Sequence, residues 1–348
     1  MKNGIVAIDV FCGVGGLTRG LIDAGIQVKK GYDIDPRLKE TYEKNNEGVK
    51  FYCKNIKDLT GDEILKGLDL KNDYLLVAGC APCQPFSQIN KNDKGDERKY
   101  LLDEFGRLVK ELRPDYILLE NVPGLNTRGR RIFDRFLKIL EENNYNFDYD
   151  ILDAKEYGVP QKRLRLILLA SKNSLITLPE KTHGPSDSSK PLYKTVRNTI
   201  AKYPYLKAGQ KSKKIPNHEC RDLAPINRER MKYIKIDGGS RTDLPEHLQL
   251  KCHKNHSGHN DVYGRMKWDD VSPTLTCKCT SISNGRFGHP AQTRGISVRE
   301  AAALQTFGDD YVFYDCLSVA TEWIGNAVPV KFAKVLGDCF VFQVDSLN

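Results

Sequence analysis

Several short stretches place reactive side chains directly after runs of apolar residues. Leu75-Leu76-Val77-Ala78 leads into Gly79-Cys80-Ala81-Pro82-Cys83-Gln84-Pro85-Phe86-Ser87, and Ile117-Leu118-Leu119 leads into Glu120-Asn121-Val122-Pro123-Gly124. A thiol just past a strand end and followed by a polar loop is exposed where chemistry happens, so it can serve as a nucleophile. Cys80-x-x-Cys83 also has the spacing of a redox pair. Such pairs normally open a helix whose N-terminus stabilises the thiolate, whereas residues 85–96 read as a polar loop. Of the two thiols, Cys80 better suits burial as a small hydrophobe. The carboxyl group of Glu120, directly after an apolar strand, is placed to donate or shuttle a proton. The first apolar run ends at Asp9 and continues into Phe11-Cys12-Gly13-Val14-Gly15-Gly16. Glycines there let the backbone approach a ligand and aim amide groups at it. Asp33, twenty residues past Gly13, is positioned to accept hydrogen bonds from a ribose diol. Position 18 lacks the third glycine of the dinucleotide fingerprint, so the same residues also suit a plain tight turn. Arg163 and Arg165, in Gln161-Lys162-Arg163-Leu164-Arg165, flank the start of a further strand. They are expected to alternate in side, so that at most one faces a given partner, and either could be a simple salt-bridge former.

The elements that must hold these residues alternate along the first 170 positions. Strands are expected at 5–10, 28–32, 74–78, 116–119 and 164–170, with helix-like segments between them at 17–24, 37–45 and 101–112. That alternation is the mark of a doubly wound, mainly parallel α/β sheet, in which ligands bind beyond the carboxyl ends of the strands. From about Ser171 the chain becomes rich in Lys, Pro, Ser, Asn and Gly and loses periodicity, which reads as a second, smaller and irregular domain. Helical pattern returns at 298–304 and 331–341.

The 348 residues carry 54 Lys+Arg against 45 Asp+Glu, a net charge of +9. Residues 172–300 hold 24 of those cations and 12 of the acids, so the basic surplus belongs to the middle of the chain and the remainder is slightly acidic. A neutral frame with a basic insert suits an enzyme that meets a polyanion, although a solvated Lys-rich surface has the same composition. No apolar run is long enough to span a membrane, and the N-terminal apolar stretch is too short for a secretion signal, so a cytoplasmic location without membrane partners is expected. The ten cysteines, scattered through such a chain, are expected to be free thiols.

Taken together, these motifs resemble the DNA (cytosine-5) methyltransferases of bacterial restriction-modification type. Asp9–Gly16 resembles the family's first motif, Pro82-Cys83-Gln84 its nucleophile motif, Glu120-Asn121-Val122 its acid motif and Gln161-x-Arg163-x-Arg165 its Gln-x-Arg-x-Arg motif. Residues 299–307 and Gly325-Asn326-Ala327-Val328-Pro329 resemble the last two, so six motifs stand in the family's order. The resemblance implies a SAM-dependent methyltransferase sheet (SAM, S-adenosylmethionine) of Rossmann-like form with a smaller target-recognition domain. The division it implies is a catalytic domain over 1–180, target recognition over 181–320 and a C-terminal segment, 321–348, that returns to the catalytic domain. It also implies methyl transfer from SAM to C5 of a cytosine in a specific duplex DNA sequence. Cys83 adds to C6, Glu120 contacts N3, and Arg165, with Arg163 in the same motif, holds the base or its phosphate. The target base must be rotated out of the duplex to be reached. SAM contacts are implied for Phe11, Gly13, Gly15, Gly16, Asp33, Ile34, Asn55, Ile56, Leu101, Asn326 and Ala327. The family often has an acid where this chain has Asn55, whose carbonyl can still accept from an adenine amino group, and Asp33 replaces a commoner Glu. DNA contacts are implied for Gln84, Ser87, Arg98 and Thr274, with the loop from Gln84 to Arg98 closing over the base. A monomer and a cognate restriction endonuclease acting on the same site complete the expected picture.

Two other activities share some of these features. A tRNA cytosine methyltransferase shares the core but carries a Cys-Phe-Thr signature that is absent here. An NAD-linked or thiol oxidoreductase would account for the glycine loop and Cys80-x-x-Cys83 but not for Glu120-Asn121-Val122 or the basic insert. Cys252, His253, His256 and His259, with Cys277 and Cys279, offer enough soft ligands for zinc. The family pattern requires no metal, and none is expected; these histidines suit hydrogen bonds to DNA or backbone.

Overall fold

The computed structural model describes residues 4–82, 100–172, 174–250 and 261–347. In chain order they form β1 (Gly4–Val10), α1 (Gly16–Asp23), β2 (Gln27–Asp33), α2 (Leu38–Asn45), β3 (Lys50–Cys53), α3 (Gly61–Leu65), β4 (Asp73–Gly79), α4 (Leu101–Leu112), β5 (Tyr116–Asn121), α5 (Arg130–Glu142), β6 (Asn146–Asp153) and β7 (Leu164–Ser171). There follow α6 (Val196–Ile200), α7 (Pro225–Tyr233), α8 (Val298–Leu304), α9 (Leu317–Asn326) and α10 (Val330–Leu347). The chain divides into two compact units, one of Met1–Tyr157, Leu164–Lys181 and Val328–Asn348, the other of Gly158–Arg163 and Thr182–Ala327.

In the first unit the described strands make one seven-stranded sheet in the order β3-β2-β1-β4-β5-β7-β6. β1 to β5 pair in parallel, and β7 runs antiparallel between β5 and β6. β1 pairs with both β2 and β4, so the order reverses beside it, which is where such sheets open a crevice at their carboxyl ends. The central strands are continuous apolar runs because both of their faces are covered; all six residues of β5 are buried. Two strands escaped the sequence pattern, β3 with four residues and β6 with the sequence NFDYDILD. Both lie at sheet edges, where solvent on one side admits charged residues and blurs the alternation. α4 and α5 present Phe105, Phe133 and Phe136 to the same apolar cluster as Val77, Ile117 and Leu168.

α10 packs along α1 at very close range. A methyl group at Gly20 would sit 2.4 Å from the Ala333 Cβ and 2.5 Å from the Val330 carbonyl oxygen, so only glycine permits this approach. Beneath α1 lies a buried polar chain. Asp9 Oδ2 accepts from the Thr18 hydroxyl at 2.6 Å, and that hydroxyl lies 2.7 Å from the Tyr42 phenol, tying β1 to α1 and α2. Burial pushes the Asp9 carboxyl from its ordinary 3.8 up to about 7, with the nearby Asp33 charge acting in the same direction.

The second unit has little regular structure and a small apolar cluster of Leu223, Met231, Ile234, Leu244, Leu248, Tyr263 and Ile282. Buried arginines bind its loops together. Arg265 donates to the carbonyls of Ile234, His289 and Met231, and its Nη1 also meets the Gln292 carbonyl. Arg299 donates to those of Pro216, Gly308 and Tyr311. Ser297 and Glu300 cap α8 reciprocally, and the Glu300 carboxylate takes two 2.7 Å hydrogen bonds from Arg294. Burial beside them pushes the His289 imidazole down to about 4.

Two stability measurements follow from this packing. Gly20→Ala lowers the free energy of unfolding by about 1–3 kcal/mol in denaturant titrations, through overpacking that outweighs alanine's better helix propensity. Asp9 holds its proton more tightly folded than unfolded, so its contribution to stability is present below about pH 4 and lost as pH rises through about 7. Asp9→Asn, which cannot ionise, therefore gains stability relative to the parent as pH is raised across that window. A constant difference between the two curves would refute the assignment.

Candidate active site

The turn after β1 is shaped by backbone conformations that favour glycine. Gly13 and Gly15 have φ of 50° and 90°, and Phe11 between strand and turn adopts φ 64° despite its side chain. The Cys12 amide donates to the Tyr32 carbonyl, and the Gly15 amide to the Cys12 carbonyl, so the turn folds back over β2. Gly16 then opens α1. A Cβ placed at Gly13 would meet nothing within 4 Å, which leaves open space over the turn.

Asp33, the last residue of β2, closes this turn from the neighbouring strand. Its Oδ2 accepts from the Gly13 amide at 2.9 Å and its Oδ1 from the Asp35 amide at 3.1 Å. Each oxygen retains a lone pair for a further donor such as a sugar hydroxyl. Ile34 follows and is 66% exposed, an apolar surface available to a planar ring. Asn55 follows β3, and its Oδ1 accepts from the Lys57 amide at 3.1 Å, leaving a second lone pair on the carbonyl. Ile56 is buried, and Leu101 begins α4, half-buried against the core. Open space, carboxylate, exposed apolar side chain and amide carbonyl together fit a nucleoside.

The acidic part of the site stands at the ends of β4 and β5. Glu120 is 2% exposed. Arg165, near the start of β7, brings its Nε to 2.9 Å from Glu120 Oε1. That contact is an ion pair without hydrogen-bond alignment, and Oε1 accepts no hydrogen bond among the described residues. The other oxygen, Oε2, accepts from the Cys80 thiol at 2.6 Å. The adjacent Asn121 donates from Nδ2 to the Ala81 carbonyl and accepts the Val122 amide on Oδ1. The Cys80 amide donates to the Val10 carbonyl. The segment leading to Pro82 is therefore tethered to β1 on one side and to β5 on the other. By sequence Cys80 suits an apolar filler better than Cys83 does; in the structure it is only half-buried, and its thiol meets the carboxylate. Nothing in the spacing of Cys80 and Glu120 along the chain signals that contact, because it arises from the pairing of β4 with β5.

Several of the other thiols, buried or half-buried, are unsuited to nucleophilic work. Burial pushes Cys12 well above its ordinary range, Cys279 up to about 12 and Cys339 up to about 11. Cys83 lies outside the described residues, as do Gln84, Ser87, Lys91, Lys94 and Arg98.

The Gln161-x-Arg163-x-Arg165 motif straddles the division between units. Strand alternation is not what separates its arginines, since residues two apart in a strand share a face. β7 begins only at Leu164, so Arg163 precedes the strand and belongs to the second unit. There it is 2% exposed, and its Nη atoms donate to the carbonyls of Leu275, Gly325 and Ala327. Its guanidinium is thus engaged with backbone carbonyls of the second unit. Gln161 accepts the Leu275 amide and donates to Gln305, whose own amide reaches the Ile324 and Ala327 carbonyls. Gly325 sits against bare backbone here: a Cβ would lie 2.1 Å from the Thr276 carbonyl carbon. Asn326 is exposed at the end of α9, Ala327 caps that helix, and the exposed Thr274 donates its hydroxyl to the Lys162 carbonyl at 2.7 Å. Cys252, His253, His256 and His259 lie outside the described residues, and among the described ones no cluster of His, Cys, Asp or Glu could hold a metal. Nor is any described helix long and apolar enough to cross a membrane.

The family model for C-5 cytosine-specific DNA methylases matches residues 5–340 of the chain. Among relatives, the Type II methylase M.HgiDII of Herpetosiphon aurantiacus is 42% identical over 336 residues, covering 94% of this chain and 93% of its own. The Type II methyltransferase M.Eco47II of Escherichia coli is 32% identical over 357 residues, covering all of this chain and 81% of its own. In fold, the chain is similar to a prophage-encoded Escherichia coli protein described as a DNA modification methyltransferase, with a TM-score of 0.75, 23% identity and coverage of 98% of this chain and 100% of that one. It is also similar to the S. pombe Dnmt2 methyltransferase, with a TM-score of 0.63, 18% identity and coverage of 99% and 100%. With nearly the whole chain matched and the glycine turn, acid and arginine in one sheet, the chain belongs to the C-5 cytosine-specific DNA methylase family and transfers a methyl group to C5 of cytosine in DNA.

Proposed function

We propose that the chain uses S-adenosylmethionine to methylate one cytosine of a specific duplex DNA sequence, with Cys83 as the nucleophile, Glu120 as the acid and Arg165 as its cationic partner. The observation that carries this reading is Glu120 itself, 2% exposed and ion-paired to Arg165, yet with Oε1 accepting no hydrogen bond among the described residues. A carboxyl oxygen held in that state is prepared for a donor or acceptor that arrives with the substrate.

Cytosine C5 is a poor nucleophile in its ground state. Addition of the Cys83 thiolate to C6 forms an S–C bond and moves the C5–C6 electron pair toward C5. Glu120 assists by supplying a proton to N3, so that negative charge does not accumulate on the ring. When bound, S-adenosylmethionine supplies an electrophilic methyl group on its sulfonium sulfur. Loss of the C5 proton then expels the thiolate and restores the aromatic ring. The residues proposed to hold the methyl donor in the first unit are Phe11, Gly13, Gly15 and Gly16 in the turn, Asp33 at the ribose, and Ile34, Asn55, Ile56 and Leu101 around the base. Asn326 and Ala327 are also proposed to contact the methyl donor, and Thr274 to contact DNA. Since C6 is inaccessible in a stacked duplex, the target cytosine must be flipped out of it. The second unit is proposed to recognise the DNA sequence. The Type II names of the relatives support a restriction-modification system, with a cognate endonuclease that cuts the same site when it is unmethylated.

Mapping methylated cytosines in DNA from an expressing host identifies the target sequence. Duplex DNA carrying 5-fluorocytosine at that position then traps a covalent adduct in the presence of S-adenosylmethionine, because fluorine cannot leave as the C5 proton does. Cys83→Ala forms no adduct; an adduct in that variant would overturn the role of Cys83. Glu120→Gln keeps the shape of the site and lowers kcat by roughly 10²- to 10⁴-fold. Labelled methyl groups pass to duplex DNA and not to tRNA; preference for tRNA would overturn the substrate assignment.

A further inference from the structure

The Cys80 thiol is not used by the chemistry above, yet it makes the hydrogen bond to Glu120. The carboxylate has two oxygens in different surroundings: Oε2 accepts from Cys80 Sγ at 2.6 Å, whereas Oε1 has Arg165 Nε at 2.9 Å but no aligned donor among the described residues. We propose that Cys80 is a positioning residue for the cytosine reaction, whose thiol occupies Glu120 Oε2 so that Oε1 is the oxygen presented to the base. This rests on the reading of Glu120 as the acid.

Three features of the first unit support the assignment. The tether of this segment to β1 runs through the Cys80 backbone amide, which donates to the Val10 carbonyl, so the side chain is not needed for it. Its neighbour Ala81 is held from the other side by the Asn121 amide, again through backbone. Cys80 is only half-buried, unlike Cys12 and Cys279, so its apolar packing contribution is small. What the side chain adds is a donor at one oxygen of a buried carboxylate. A carboxyl group with two equivalent free oxygens can rotate and protonate on either, and only one geometry delivers a proton in the plane of the base. An S–H donor on Oε2 leaves Oε1, beside Arg165 Nε, as the oxygen open to the base. The same contact restrains the carboxyl torsion, which is otherwise broad. The thiol neither bonds covalently nor changes oxidation state in this role.

The test compares full-length Cys80→Ala and Cys80→Ser with the parent protein, reading kcat and KM on duplex target DNA, the rate of adduct formation with 5-fluorocytosine DNA, and the thermal midpoint. The expected result is a kcat about tenfold lower for Cys80→Ala, the size of one hydrogen bond to a charged group expressed in the transition state. KM values for DNA and S-adenosylmethionine stay within about twofold, since binding contacts are untouched. Cys80→Ser keeps an O–H donor at the same position and recovers kcat to within about threefold of the parent. Parent-like kcat in Cys80→Ala overturns the proposal. So does a loss that serine fails to rescue, or one that falls on KM or the thermal midpoint instead of kcat. Glu120→Gln and the double variant Glu120→Gln/Cys80→Ala are measured alongside. If Glu120→Gln abolishes activity while Cys80→Ala is parent-like, only the role of Cys80 fails. If Glu120→Gln keeps the parent kcat, the reading of Glu120 fails and takes the role of Cys80 with it. With both readings correct, the double variant loses no more than Glu120→Gln alone.

Discussion

A carboxylate removed from water persists only beside compensating charge, and the layout of the first unit around Glu120 follows from that constraint. Glu120 ends β5 at 2% exposure, and its cation, Arg165, comes from a strand that begins 44 residues later in the chain. The carboxyl end of β5 can only be met by the amino end of a neighbour if that neighbour runs the opposite way. β7 does so, pairing antiparallel with β5 so that Glu120 lies opposite Ile167 and Asn121 opposite Leu166, with Arg165 next along. In an otherwise parallel sheet, a single reversed strand thus delivers a guanidinium to the edge where the parallel strands deliver their carboxyl ends. β4, on the other side of β5, brings Cys80 to the remaining carboxylate oxygen by the same geometry run in parallel.

The second unit solves a different problem. With little ladder or helix to pair its backbone, it must find donors for carbonyls that its loops carry inward. Arginine suits that task because five N–H groups in a rigid fork can satisfy several carbonyls at once, and Arg163, Arg265 and Arg299 are each used this way. The consequence reaches the charge distribution. Within residues 172–300, Arg230, Arg265, Arg294 and Arg299 are buried, and others such as Arg197, Arg228 and Arg286 are paired with Asp269, Asp222 and Asp261. The basic surplus of the middle of the chain is therefore partly internal scaffolding. Exposed lysines such as Lys207, Lys213 and Lys214 carry the part of that surplus that reaches solvent.

The alternation of apolar runs and helical segments was legible because strands covered on both faces are apolar: β1, β4, β5 and β7 fall where their apolar runs lie, and α4 and α8 begin and end where periodicity places them. The edge strands β3 and β6 were not legible, since solvent on their outer side relaxes the pattern. The turn residues Gly13, Gly15 and Asp33 could be read from type and spacing because the constraint on them is local, a positive φ or a strand end.

Residue type and order alone determined that a thiol, an acid and an arginine follow or precede strand ends, and that these motifs run in the order of the cytosine methylases. Composition could count charges but not divide them between solvent and interior. The tertiary structure alone decided which arginine of Gln161-x-Arg163-x-Arg165 meets Glu120 and which is spent on the carbonyls of Leu275, Gly325 and Ala327. It also decided that Cys80 meets Glu120 rather than filling the core. The reason is physical: a side chain's type sets which bonds it can make, but its partner is chosen by strand direction and register, which bring together residues tens of positions apart that no local pattern connects.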